Sequence, residues 1–360
     1  MAVRRRDGRQ HHGRPARRRR RRGRVGRDQR GGRARRRRGR LEPGALGPAR
    51  RRGRGGEGRA RVSPRGWRPW PRNPWLQRLF VGATLVALGC LAWGFLWEPR
   101  QLVERDYAFA LPHWSRECEG LRLDVVADLH TGSPHNGLDK LDDIVARLIA
   151  SDAPAVLMAG DYVILSVLGG TYISADRLAP HLKPLTARKP VYAVLGNHDW
   201  WKDGGKVRAA LESAGVVVLE DQARKVELGR CRLWIVGIGD KWETRHDIAG
   251  AFAGVSDDAP VVALTHNPDL FPDIPPRASL TIAGHTHGGQ VQLPWLGTPV
   301  VPAQMRYAGG YLVEDGKSLF VSTGIGTSIL PVRFGVPPEI SRLRLRAAAR
   351  EPARDGRASR

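Results

Sequence analysis

The sequence predicts an α/β domain carried behind a single membrane-crossing helix, and three observations predict it. Short apolar runs recur between residues 121 and 346, each closing on Asp, Asn or His; a helical repeat follows the first run; and an uncharged stretch lies upstream of them all. Short apolar runs bounded by turn residues suit strands buried on both faces, and their alternation with helices is the mark of a largely parallel sheet.

Residues 1–66 carry 27 Arg, no Lys and 4 acidic residues, so nearly all of the formal net charge of +25 on this 360-residue chain sits there. Arg, Gly, Pro and Ala without large apolar side chains cannot bury enough surface to offset the entropy of ordering, and the tract is expected to be disordered. Two readings of it stand side by side: a polybasic arm, or upstream sequence of a GC-rich gene translated from too early a start. A tail selected for nucleic acid or anionic lipid usually mixes Lys with Arg, and this one does not. Because the remainder is almost charge-balanced, nucleic acid is not the expected partner. The whole chain is 26% charged and 41% hydrophobic, which suits a soluble fold and excludes collagen, a coiled coil and a polytopic membrane protein.

Residues 67–78 form a basic juxtamembrane segment, and Leu79–Trp97 reads LFVGATLVALGCLAWGFLW without a charge. As a helix this run spans roughly 28 Å, close to the hydrocarbon thickness of a bilayer. Trp75 and Trp97 stand at its ends like an interfacial belt. Arg68, Arg72 and Arg78 precede it with no acid among them, whereas Glu98, Glu104 and Asp106 follow it with Arg100 and Arg105. The positive-inside rule then keeps the N-terminus in the cytoplasm and exports the C-terminal part of the chain. Gly-Phe-Leu-Trp-Glu-Pro offers no A-x-A-like cleavage site and no Arg-Arg pair directly precedes the run, so an uncleaved anchor is expected. Residues 98–120 read as linker and lead-in. Cys90, Cys118 and Cys231 form no C-x-x-C pair; with Cys90 inside the apolar run, at most one bridge remains.

The domain itself is expected over residues 121–346, with a disordered tail at 347–360. Leu121–Ala127 is strand-like and ends in Asp128-Leu129-His130. Leu141, Ile144, Val145, Leu148 and Ile149 then share one helix face. Ala155–Ala159 ends in Gly160-Asp161, Val191–Leu195 in Gly196-Asn197-His198-Asp199, Val261–Thr265 in His266, and Leu280–Ala283 in Gly284-His285-Thr286-His287. A lone His or Asp is more often a satisfied core or loop residue. Here five of the eleven histidines fall at strand ends, and in α/β sheets the carboxyl ends of the strands form one rim where ligands collect. Tyr311–Glu314 and Lys317–Val321 flank Asp315-Gly316, a hairpin.

In this order, Asp128-x-His130, Gly160-Asp161, Gly196-Asn197-His198-Asp199, His266 and Gly284-His285-x-His287 resemble the five motifs of the calcineurin-like metallophosphoesterases. The longer form Gly284-His285-Thr286-His287-Gly288-Gly289-Gln290, behind one membrane segment, is most similar to the bacterial membrane-associated YkuE/YaeI-type branch. The resemblance implies a two-sheet sandwich flanked by helices and a centre of two divalent or mixed-valence metal ions, Mn, Fe or Zn. Asp128, His130, Asp161 and His287 would hold one ion; Asp161, Asn197, His266 and His285 the other, with Asp161 bridging. Imidazole, carboxylate and amide oxygen without thiolate suit those metals. Many members have Asp where this chain has Ile164, so a carboxylate expected there is missing.

The resemblance also implies that His198 acts on the substrate, stabilising the phosphoryl group or protonating the leaving oxygen, and that Asp199 orients it and keeps it partly protonated. The structural reading of Asp199 is a helix N-cap. Gly288 and Gly289 would offer backbone N–H groups to a phosphate, or mark a tight turn. His135, His181 and His246 read as exposed, and Trp200 and Trp201 as a substrate mouth, a core contact, or one of each. The implied activity is hydrolysis of a phosphoester or pyrophosphate. The bilayer anchor favours a membrane lipid or lipid-linked substrate, with a UDP-2,3-diacylglucosamine pyrophosphatase-like hydrolase as one alternative. The alternative of another class is an Arg-rich nucleic-acid or anionic-membrane binder whose phosphoesterase domain is inactive.

Overall fold

The computed structural model describes residues 73–242 and 246–348; the readings of 1–66, 67–72 and 349–360 lie outside the described residues. Helix α1 (Pro74–Ala92) starts at Asn73, whose side chain accepts a hydrogen bond from the Trp75 N–H at 3.0 Å, with Pro74 at the first position, where its missing donor costs nothing. None of its residues is buried. A π-helical turn (Trp93–Trp97) and a 3₁₀ turn (Glu98–Arg100) extend it. Pro74–Arg100 is, among the described residues, the one helix long and apolar enough to cross a membrane.

This helix runs into the domain without a loose tether. The Arg333 N–H donates to the Gly94 carbonyl at 2.9 Å, and buried Glu98 accepts from the backbone N–H groups of Gly335 and Val336 at 3.0 and 2.6 Å and from the Trp93 indole at 2.6 Å. Lys140 donates its ammonium to the carbonyls of Pro99 and Gln101 at 3.0 and 2.8 Å, and burial pulls its pKa down to about 8.

Two six-stranded sheets face each other. The first has the order β1 (Val103–Leu111), β12 (Glu339–Ala347), β2 (Leu121–Val126), β3 (Val156–Ala159), β4 (Val191–Val194) and β5 (Val217–Val218). The second has the order β10 (Gly310–Glu314), β11 (Lys317–Val321), β9 (Leu280–Ala283), β8 (Val261–Leu264), β7 (Cys231–Gly237) and β6 (Gln222–Leu228). The segment expected to be a linker therefore supplies an edge strand, β1, paired in parallel with β12 from Val103 against Glu339 to Leu111 against Ala347. Its charges, Glu104, Arg105 and Asp106, hide it from a search for apolar runs, although Phe109 and Leu111 enter the core. Ala347, assigned to the tail, is the last residue of β12.

The period of two along the central strands divides their side chains between layers. Leu157 and Ala159, with Val262 and Leu264, fill the space between the sheets. Val156 and Met158 face α2 (Leu138–Ala150), α3 (Ala175–Thr186) and α4 (Asn197–Ser213) on the outside of the first sheet. Val261 and Ala263 face α5 (Ile248–Ala253) on the outside of the second. Strands buried on both faces have no polar alternation to show, which is why they read as continuous apolar runs. The bridge left open by the sequence forms: Cys118, just before β2, is disulfide-bonded to Cys231 at the start of β7. It joins the amino ends of two sheets whose carboxyl ends carry the motifs.

Candidate metal centre

Each motif follows the carboxyl end of its strand: Asp128 and His130 after β2, Asp161 after β3, Asn197 after β4, His266 after β8, and His285 and His287 after β9. The turn that re-aims each side chain is sharp. Asp128, His130, Asp161, His285 and His287 all have left-handed φ angles, between 39° and 71°. Non-glycine residues rarely adopt this region, and such strain gathers where the surroundings over-determine a functional geometry. At Gly160 a Cβ would lie 2.7 Å from both the His266 imidazole and the Gly196 nitrogen, so only glycine lets these turns meet.

The side chains form two buried clusters that share one atom. Oδ2 of Asp161 lies 3.4 Å from His130 Nε2 and 3.3 Å from His266 Nε2. On one side, His130 Nε2 and His287 Nε2 are 3.1 Å apart, and His287 Nε2 is 3.4 Å from Asp128 Oδ1. On the other, His266 Nε2 is 3.1 Å from both Asn197 Oδ1 and His285 Nδ1. The structure thus brings together, from both sheets, the side chains that the resemblance would assign to two ions.

The donor set fits a pair of metal ions. Ligand bonds of about 2.0–2.2 Å at tetrahedral or octahedral angles put neighbouring donor atoms roughly 3.0–3.5 Å apart, the spacing seen here. The far nitrogen of His266 contacts the Ala159 carbonyl at 2.7 Å; donating there fixes its proton on Nδ1 and frees Nε2 as a ligand. The Asp128 carboxylate accepts from the His285 N–H at 3.1 and 3.0 Å, tying the end of β2 to the end of β9.

His198 stands beside the clusters. One of its ring nitrogens lies within 4.8 Å of ligand atoms on His130 and Asp161, and its side chain is only half-buried. Its Nδ1 accepts from the Leu165 N–H at 3.3 Å, so a neutral ring carries its proton on Nε2. Burial lowers its pKa to about 4.

The role expected for Asp199 differs. Its two oxygens accept from the backbone N–H groups of Asp161, Tyr162 and Gly196 at 2.9 Å and of Val163 at 3.3 Å. It fixes the turn that aims Asp161 instead of orienting His198; the cap position of α4 is Gly196, not Asp199, which stands three residues further on and accepts from the Gly196 N–H. Ile164 is buried in the same turn, where no carboxylate stands.

A cavity of about 890 Å³ opens on the clusters. Trp201 lines it and stacks on Trp242, with ring centroids 6.2 Å apart, whereas Trp200 packs against the core below α4. Both sequence readings of the tryptophan pair therefore hold, one for each ring. His135 is not exposed as read; its Nε2 contacts the Phe95 carbonyl at 3.2 Å in the π-helical turn after α1. His181 contacts Asp142 at 2.6 Å, far from the centre in the fold, and His246 is half-buried in the loop before α5.

Sequence reasoning missed three contributors. Trp242 lies edge-on to His285, with centroids 4.6 Å apart. Arg333 is fully buried and donates to the carbonyls of Thr323, Gly326 and Val336, holding the loop beneath Asp128; burial lowers its pKa to about 10. The loop after β11 donates from the Gly326 N–H to the Asp128 carbonyl at 2.7 Å. The signal for the last was present: Gly324-Ile325-Gly326 follows a sixth strand end on the same rim.

Comparison with known proteins agrees with this geometry. The family described as Calcineurin-like phosphoesterase matches residues 121–289. The phosphodiesterase YaeI of Escherichia coli (strain K12) is 30% identical over 227 residues, 61% of this chain and 80% of that protein. The uncharacterized metallophosphoesterase YkuE of Bacillus subtilis (strain 168) is 25% identical over 279 residues, 75% of this chain and 96% of that one. The UDP-2,3-diacylglucosamine pyrophosphatase LpxG of Chlamydia trachomatis is 25% identical over 327 residues, 72% of this chain and 95% of that one. The chain belongs to the calcineurin-like phosphoesterase family and is a metal-dependent phosphoester hydrolase.

Proposed function

We propose that the protein is an anchored hydrolase that cleaves a phosphoester or pyrophosphate carried by a membrane lipid, on the outer side of the cytoplasmic membrane. The observation that carries this reading is the cavity: polar metal-binding groups form its floor, while Leu165, Val167, Leu168, Val300 and Ile329 supply an apolar wall, as a substrate with one charged and one apolar end requires.

The seven residues of the two clusters would hold Mn, Fe or Zn. Bound there, the ion pair neutralises charge on the phosphoryl group and supplies a nucleophile from water at neutral pH. The residues of the chain do the rest. Asp161 and Asn197 position the floor, and the backbone contacts of Asp199 keep Asp161 in its left-handed turn. His198 presents an Nε2–H at the half-buried edge, where it donates to a phosphoryl or leaving-group oxygen. Trp201 and Trp242 shield one flank from water.

Two observations support the outer location. The charge flanking α1 favours export of the domain, and a disulfide between Cys118 and Cys231 belongs to an oxidising compartment. The similarity to LpxG favours a nucleotide-linked diacyl pyrophosphate as a second substrate. The deciding experiment assays full-length protein in lipid nanodiscs, with Mn, Fe or Zn added back, against phosphatidic acid, polyprenyl pyrophosphate, UDP-2,3-diacylglucosamine and soluble nucleotides. Turnover of one or more lipid substrates well above the nucleotides is expected; turnover of nucleotides alone would remove the lipid assignment.

A further inference from the structure

The apolar wall of the cavity continues outward as bare surface. Ile329 is 75% exposed and Leu168 67%, and beyond them Leu296 is 80% exposed and Trp295 is fully exposed. Large apolar side chains gathered on one rim mark a surface that meets another apolar phase.

Backbone hydrogen bonds join these residues into one unit. The Leu168 N–H donates to Ile329 O at 3.0 Å, Gln292 N–H to Phe334 O at 2.7 Å, and Phe334 N–H to Gln290 O at 2.8 Å. Leu293 pairs with Gly297 in a tight hairpin tipped by Trp295 and Leu296. The same unit holds the anchor: a Cβ on Gly94 would lie 3.3 Å from Val332 Cγ2 and 3.6 Å from Phe334 Cδ2.

We infer that this rim lies in the bilayer surface, so that the cavity opens toward the lipid leaflet and receives acyl chains along the Leu168–Ile329 wall. The inference rests on the reading of Pro74–Arg100 as a membrane helix. Gly94 and Glu98 fall at the end of a span of roughly 30 Å, which sets them at interface depth. Gln292 pairs with Phe334 beside Gly94, and Trp295 stands three residues further on, within about 10 Å of Gln292 and about 20 Å of Gly94, so the hairpin is long enough to lie along the interface. Interfacial elements bury their apolar faces about 5–10 Å into the headgroup–acyl boundary, where Trp is favoured. The attachments at Gly94, Phe95, Glu98 and Lys140 keep the domain from tumbling on a tether, so the rim stays at that height. Lipid is thus the occupant already adjacent to the surface; a second copy or another protein has no such fixed proximity.

Cys90, the one cysteine outside the disulfide, lies in the helix and provides an internal reference. Full-length protein in phosphatidylethanolamine–phosphatidylglycerol vesicles is labelled with a nitrobenzoxadiazole thiol probe, and quenching by doxyl-phosphatidylcholine is read. Labels are placed at Cys90 in the natural chain and, in Cys90→Ala, at Trp295→Cys and Asp258→Cys. Asp258 precedes β8, at the end of the sheet away from His266. The label at 295 is expected to lose roughly half or more of the fraction lost at Cys90, and the label at 258 almost nothing. Quenching at Cys90 with none at 295 above that at 258 overturns the rim placement and leaves the helix standing; if emission at 295 then shifts blue with protein density, a second copy covers the rim. Absence of quenching at Cys90 removes the membrane helix, and the inference with it.

Discussion

Asp161 is the residue on which both halves of the centre depend, because a single oxygen faces His130 on one side and His266 on the other. Replacing it with Asn keeps the shape and removes the charge that two cations would share. Asp161→Asn is expected to lose bound metal and turnover together, and elemental analysis checks it: two ions at full occupancy in the variant would remove the bridging role. His198 belongs to the other class of residue. His198→Ala should retain its metal while kcat falls by about 10²–10³, the range for removing one hydrogen-bond donor from developing charge. The loss should be smaller for p-nitrophenyl than for alkyl phosphoesters, since a good leaving group needs little help; equal losses would leave only charge stabilisation. Asp199, one position along, differs from both because its oxygens serve backbone N–H groups, and only the folded turn reveals that.

At the scale of elements, the disulfide between Cys118 and Cys231 closes a separation of 113 residues across the two sheets. Cross-links over loops of this length stabilise by about 3–5 kcal/mol, mainly by restricting the unfolded chain. Cys118→Ser with Cys231→Ser should therefore lower the unfolding midpoint. Because the bridge joins the strand ends away from the metal rim, turnover of a soluble aryl phosphodiester at low temperature should be unchanged; a large loss of turnover there would mean that the bridge shapes the centre. The elements visible in the sequence were those whose signal is local. The face of α2 follows from helical spacing, the β10–β11 hairpin from Asp315-Gly316, and the five motif-bearing strands from apolar runs ended by ligand-type residues. What stayed hidden was set by partners distant in the chain. The pairing of charged β1 with β12, the inward turn of Arg333 and the hold of Glu98 on Gly335 and Val336 are contacts whose two sides lie far apart in sequence, and nothing in either segment alone specifies them.

For the molecule as a whole, the decisive prediction is topological. Arg68, Arg72 and Arg78 lie within about 15–20 positions of the apolar helix with no acid among them, the arrangement that keeps a flank in the cytoplasm. A phosphatase reporter active only after export, fused to the C-terminus, should be active. It should remain so when residues 1–66 are deleted, because those three arginines persist. An inactive reporter beside an active cytoplasmic one would reverse the orientation and move the substrate class to the inner leaflet.

The ladder between β1 and β12 has a mechanical side as well. The chain leaves α1 and the turns after it and enters β1 at Val103, while β12 runs parallel to it and exits at Ala347, so the two points of attachment lie at opposite ends of the paired strands. A pull at Ala347 against Val103 thus loads the whole ladder in shear, where its hydrogen bonds must fail together instead of one after another. Pulling from the start of β1 against the start of β12 would peel the same strands apart like a zipper. Force applied between Val103 and Ala347 therefore meets the shear geometry of this ladder and not its zipper geometry.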